Sequence, residues 1–266
     1  MLVQWQLDRP EEGTLLSRVE GQIFSICHNP VQQHLLMGTM QGSLHVIDLR
    51  ARKELKHLVH HGGAIFDIQY SAEAQLIYTV SRDGHLAAWD ARDYALRYSK
   101  LISAAGLRCV RIHGEEIFCG SSDHRVYVLR GNAEPEALEG PLNSVFCLCL
   151  VPAPEVGERL LAGSRDAQLH VWMKNGTWVP EKLIKAHLYT INDIQYQPGL
   201  QLLASASRDK SIKLWDAREL ELLKVLDKAN ATGHHHSVNK LLWMGDHLLS
   251  CGDDSRIVIW KVAVKM

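Results

Sequence analysis

Apolar and polar residues alternate along this chain in short runs, and no stretch repeats its apolar positions every three to four residues. LHVIDL, LAAWDA, VYVLRG, LHVWMK, IKLWDA and IVIWKV show the alternation, with Gly, Asn, Asp or Ser turns between the runs. Alternation sends successive side chains to opposite faces of an extended strand, so the pattern predicts an all-β chain of short strands and tight turns. The runs also recur. Starting from LVQWQL, they centre on Trp5, Ile47, Trp89, Leu129, Trp172, Trp215 and Trp260, at steps of 42, 42, 40, 43, 43 and 45 residues. A period of about 40–45 residues is that of a four-stranded propeller blade.

A second register runs through the same repeats. Each contains an apolar-x-x-apolar strand start: IFSI at 23–26, IFDI at 65–68, LRCV at 107–110, VFCL at 145–148, INDI at 191–194 and VNKL at 238–241. A turn Asp stands six residues ahead of the Trp-type position at Asp83, Asp123, Asp166, Asp209 and Asp254. Five turns with one spacing mark a structural repeat.

With these residues the chain resembles the WD40-repeat proteins, in particular the small stand-alone propellers of bacteria, over essentially its whole length. The resemblance implies a single WD40 β-propeller domain over residues 1–266. Its repeats are expected at 21–60, 61–102, 103–140, 141–185, 186–230 and 231–266, after a partial blade at 1–20. It also implies a hydrogen-bonded tetrad of His, Ser or Thr, Asp and Trp within a blade. Three repeats carry one: His61, Thr79, Asp83 and Trp89; His187, Ser205, Asp209 and Trp215; His234, Ser250, Asp254 and Trp260. Val19, Ser103 and Pro141 stand where His is expected, and Ile47 and Leu129 replace Trp, so those blades are expected to rely on apolar packing. Seven Trp-type strands imply seven blades in the parent gene. The first then lacks its inner strands, which predicts an upstream segment of about 30–40 residues before Met1. The alternative is a six-blade ring closed by residues 1–20.

Composition narrows the role. Lys and Arg number 29 against 30 Asp and Glu, a net charge of −1, which weighs against nucleic acid because phosphate binding needs excess cations. No apolar run approaches the ~18 residues of a membrane span. Four of the six cysteines (Cys27, Cys109, Cys119, Cys147, Cys149, Cys251) lie in apolar runs, and no signal peptide opens the chain, so a cytoplasmic setting is expected. The sequons at Asn175 and Asn230 are then chance matches. Cys147 and Cys149, two apart in a strand, are expected to fill the core.

No catalytic motif is present: no GxSxG elbow, no phosphate-cradling GxxxxGK[ST], no HExxH and no CxxC. The tetrads account for His61, His187 and His234, and consecutive loop histidines such as His234–His236 point in different directions, so neither a metal site nor a cofactor is expected.

The resemblance places binding on the face where the tetrad loops emerge. The residue before each turn Asp reads Arg82, Ser122, Arg165, Arg208 and Asp253, and the motif Ser-Arg-Asp occurs three times. The residue after each strand-start apolar position reads Phe24, Phe66, Arg108, Phe146, Asn192 and Asn239. Aromatic rings beside arginines suit an acidic or phosphorylated peptide. The expectation is a non-enzymatic scaffold holding a protein or peptide through Phe24, Phe66, Arg82, Arg108, Phe146, Arg165 and Arg208. The alternative is a regulatory or sensory subunit with a small ligand in the central channel. On the opposite face, Asp48, Asp90 and Asp216 each precede an Arg by two residues (Arg50, Arg92, Arg218), a pattern that predicts repeated salt-bridged turns.

Overall fold

A computed structural model of the protein describes residues 2–153, 157–229 and 233–263, and every regular element among them is a strand. Strands β1 (Leu2–Gln6) and β2 (Arg9–Ser17) form a two-stranded sheet. Four-stranded sheets follow, each built from strands adjacent in sequence. The first comprises β3 (Ile23–Asn29), β4 (His34–Thr39), β5 (Ser43–Asp48) and β6 (Lys53–Val59). The second comprises β7 (Ile65–Ser71), β8 (Leu76–Ser81), β9 (His85–Asp90) and β10 (Leu96–Leu101). The third holds β11 (Leu107–His113), β12 (Glu116–Ser121), β13 (Val126–Arg130) and β14 (Glu136–Leu138). The fourth holds β15 (Val145–Ala153), β16 (Gly157–Ser164), β17 (Gln168–Asn175) and β18 (Thr177–Lys185). The fifth holds β19 (Ile191–Gln197), β20 (Leu202–Ser207), β21 (Ile212–Asp216) and β22 (Leu222–Leu226). A three-stranded sheet of β23 (Val238–Met244), β24 (His247–Gly252) and β25 (Ile257–Lys261) ends the described chain. The second sequon, Asn230-Ala-Thr232, and Met1 lie outside the described residues; the first, at Asn175, sits in the exposed β17–β18 hairpin.

The chain divides into two compact units, Met1–Cys119 and Gly120–Met266, with the division inside β12. In the first, the core gathers Leu36, Leu44, Val46, Ile65, Ile68, Ile77, Ala87, Trp89 and Tyr94. In the second, Cys147, Cys149, Val151, Leu161, Ile191, Ile194 and Trp215 form one cluster, and Ile212, Leu214, Val238 and Leu248 belong to another. All six cysteines are free thiols.

Strands β3, β7, β15, β19 and β23, each the first of its sheet, break the two-residue period of a β-strand. Ile65 and Ile68 are both buried although three apart, as are Val145 and Leu148, Ile191 and Ile194, and Val238 and Leu241. Both can face inward only if one residue between them is extra. The pairing shows it: Ile65 opposes Ser81 and Asp67 opposes Val80, so Phe66 has no partner on β8. The same skip falls at Phe24, Phe146, Asn192 and Asn239. Each is a β-bulge, which bends the strand and re-aims the extra side chain.

The residue after the bulge hooks the neighbouring sheet. Ser25 Oγ donates to the Ile65 carbonyl (2.9 Å), and Asp67 accepts from Val110 N–H (3.0 Å) and Arg111 (3.1 Å). Asp193, fully buried, accepts from Leu241 N–H (2.9 Å). Where the hook is Cys147, the opposite residue must be glycine: a Cβ on Gly163 would lie 2.5 Å from the sulfur and 2.7 Å from Ile191 Cγ2.

The expected salt-bridged turns take another form. Asp48, Asp90 and Asp216 each accept the backbone N–H of the Arg two residues on, at 2.8 Å. The ion pair of Asp90 comes from Arg97 (2.6 Å) instead of Arg92. A short carboxylate turns the chain by bonding its own backbone, so the geometry is local and needs no arginine head.

Candidate functional site

The three histidine-led constellations are hydrogen-bonded chains. Trp89 Nε1–H donates to Thr79 Oγ1 (3.0 Å), His61 Nε2 meets the same hydroxyl (2.7 Å), and His61 Nδ1 lies 3.1 Å from Asp83. Trp215, Ser205, His187 and Asp209 repeat this at 2.9, 2.8 and 2.9 Å. Trp260, Ser250, His234 and Asp254 do so at 2.8, 2.9 and 2.9 Å. One proton arrangement satisfies every atom: indole N–H to hydroxyl, hydroxyl O–H to imidazole Nε2, imidazole Nδ1–H to carboxylate. It requires a neutral imidazole and an ionised Asp. Burial accordingly holds His61 and His187 below the ordinary histidine value, against the opposing pull of Asp83 and Asp209. Burial alone would raise the carboxyls, but bonds from His187, Ser211 and the Leu188 N–H leave Asp209 well below its usual range. Bonds from His234 and the His235 N–H likewise leave Asp254 at about 2.

Two of the three blades without the tetrad His do not rely on apolar packing alone. Two residues before the Trp-type position, Tyr127 donates to Asp123 (2.7 Å) and His170 Nε2 meets Asp166 (3.0 Å). His170 stacks on Trp172 with ring centroids 6.2 Å apart. The complete tetrads carry Ala87, Lys213 and Val258 at this position. A polar ring thus enters from the strand when none arrives from the loop, a signal present in the spacing that repeat-by-repeat matching of His alone overlooks.

The Ser-Arg-Asp motif ties turn to strand. Ser81 Oγ donates to Gly63 O (2.9 Å) and accepts Asp83 N–H (3.2 Å), while Ser164 and Ser207 do the same with Asn143 and Tyr189. The next residue then bonds the carbonyl two positions before the bulge: Arg82 N–H to Ala64, Arg165 to Ser144, Arg208 to Thr190 and Asp253 to Ser237. Backbone geometry therefore brings Arg82 to the same end of its sheet as Phe66, Arg165 to that of Phe146 and Arg208 to that of Asn192. All three arginines are exposed.

In the first unit the bulged residues form a continuous run. Phe24 meets Phe66 edge to face with centroids 5.6 Å apart, and the Arg108 guanidinium lies 4.9 Å over the Phe66 ring. Phe24 remains 45% exposed, so the aromatic pair presents apolar surface to solvent. In the second unit the equivalent positions past Phe146 are amides that bond one another. Asn192 Nδ2–H donates to Val238 O (2.8 Å) and Ser237 Oγ (3.0 Å), and Asn239 Nδ2–H to Asp253 (2.6 Å).

Repeated antiparallel sheets locked by Trp–Ser/Thr–His–Asp chains define a β-propeller repeat protein. The family model described as WD domain, G-beta repeat, matches residues 52–90, 178–216 and 224–261. Protein SEC13 homolog of Drosophila melanogaster is 24% identical across 85% of this chain and 74% of its own length. Nuclear distribution protein nudF of Emericella nidulans is 31% identical across 71% of this chain and 47% of its own. Kinesin-like protein KIF21B of Mus musculus is 24% identical across 81% of this chain, which spans 15% of that protein. The chain is a WD40-repeat protein, of a family that is generally non-catalytic. No helix among the described residues is long and apolar enough to cross a membrane.

Proposed function

We propose that the protein is a non-enzymatic, cytoplasmic scaffold that holds a protein partner at the bulged ends of its repeats, by a peptide bearing acidic or phosphorylated side chains. The observation that carries this reading is the bulge itself. A distortion recurring at one repeat position holds Phe24, Phe66 and Phe146 out of the ladder, and Ser-Arg-Asp turns deliver Arg82 and Arg165 beside the last two. Bulges that re-aim side chains are over-represented at functional sites, and aromatic and Arg anchors dominate interface energetics. Arg108, parked over Phe66, offers a guanidinium whose fork suits a carboxylate or phosphate. In KIF21B and nudF the matching region is under half of the protein, as suits a binding module within a longer chain.

The test is affinity purification from native lysate with the tagged chain and its Arg82, Arg165, Arg208→Glu variant side by side, both first shown to be folded. A partner held by the first and lost by the second is the expected result. Equal retention would move the binding surface elsewhere. Failure of both to capture protein, with thermal stabilisation by a small metabolite, would favour the small-ligand alternative.

A further inference from the structure

We propose that His45, Glu54 and His57 form a binding site for a divalent transition-metal ion of the zinc type, on the outer half of the β3–β6 sheet. His45 opposes His57 across the β5–β6 ladder, and Ile47 opposes Glu54, because Leu55 is skipped in the pairing. Opposed residues share a face, and His45 and Ile47, two apart on one strand, share it too. The skip at Leu55 therefore brings Glu54 to the face of both histidines. Without it, Leu55 would stand there.

The side chains have closed on one another accordingly. One potential ligand atom from each of the three lies within 4.8 Å of the others. His45 Nδ1 is 2.9 Å from Glu54 Oε1, and the two imidazoles stack with centroids 4.4 Å apart at 11°. Tetrahedral ligands about 2.0–2.1 Å from zinc sit roughly 3.3 Å apart, so modest adjustment of two exposed side chains completes the shell. His45 is buried and anchors the site, while Glu54 and His57 are exposed and leave a fourth position to water. Two imidazoles and one carboxylate suit zinc, with copper and nickel also accommodated, better than calcium or magnesium.

The repeat explains why His45 is available. It occupies the strand position from which Tyr127 and His170 reach their turn Asp, but Gln41 stands where that Asp would be. The expectation of no metal site weighed only the tetrad and loop histidines; this pair lies across two strands, 12 residues apart, and depends on a bulge.

The experiment is calorimetric titration of the untagged chain with Zn²⁺, repeated with His57→Ala and Glu54→Gln, and with His235→Ala/His236→Ala as a control for the loop histidines. The expected result is one saturable site, weakened at least about tenfold by either ligand change and unaltered by the control, since even partners that merely orient a ligand are worth that much. Zn²⁺ should also raise the melting temperature of the parent and not of His57→Ala. Both substitutions are at exposed positions, so folding survives them. No saturable binding in the parent, or equal binding in His57→Ala, would overturn the assignment.

Discussion

The first strands of the two units share one backbone device and put it to different use. At Phe24 and Phe66 the bulge presents an aromatic run capped by the Arg108 guanidinium; at Asn192 and Asn239 it presents amides whose donors are spent on Ser237, Val238 and Asp253. A phenyl ring makes no such hydrogen bonds, and Phe24 stays 45% exposed. An asparagine that bonds the next sheet joins the framework. On the reading proposed above, one geometry serves as a contact surface in one place and as a brace in another, and the side chain decides which.

The framework under both is the tetrad, and acid attacks it most broadly. His61 and His187 are held neutral in the fold, so as pH falls below about 6.5 the unfolded chain takes up protons first and stability declines. Asp83, Asp209 and Asp254 stay ionised below the unfolded carboxylate value of 3.8, which adds a second loss from about pH 4 downward through their folded values. Urea midpoints at pH 7.5, 6, 4.5 and 3 should fall in these two stages. A flat midpoint between pH 7.5 and 4.5 would show that the imidazoles are not held neutral.

Next in size is Ser205→Ala, which strands both the Trp215 indole N–H and His187 Nε2 in a buried site. At ~1–3 kcal/mol per orphaned group, a loss of about 3 kcal/mol is expected by urea denaturation. The counterpart His170→Ala should cost less, because Asp166 keeps the N–H groups of Leu142 and Gln168. Gly163→Ala tests the bulge hook. Its Cβ has no room beside Cys147, and overpacking of this kind costs ~1–3 kcal/mol, so Cys147→Ala in the same chain should restore part of the loss. Smallest are Asn192→Ala and Phe24→Ala, each costing about 1 kcal/mol in stability. Only Phe24→Ala is expected to weaken partner binding, and pairing the urea midpoint with a binding titration checks the distinction.

Much of this was legible in the chain. Period, alternation and the Asp-to-Trp spacing mark the strands and turns, and the three tetrads could be named because the family resemblance implies them and their Asp stands at one spacing from the Trp. The bulge was not read from the chain: the apolar-x-x-apolar start was visible, but that Ile65 and Ile68 are both buried, which a regular strand forbids, is shown by the structure. The ring substitutions at Tyr127 and His170 were less visible, since a neighbouring strand position supplies the group that the loop lacks. His45 with His57 was hidden entirely, because cross-strand pairs depend on register and a skipped residue changes which side chains meet.

The claim that the aromatic–cation run is the contact surface has one direct test. A captured partner is titrated against the parent chain, a Phe66→Ala/Arg82→Glu/Arg108→Glu variant and an Asn192→Ala/Asn239→Ala variant, each confirmed folded. The account predicts at least a hundredfold loss for the first variant, in keeping with ~2 kcal/mol or more per hot-spot side chain, and affinity close to the parent's for the second. Equal affinities for all three, or a loss confined to the asparagine variant, would contradict it.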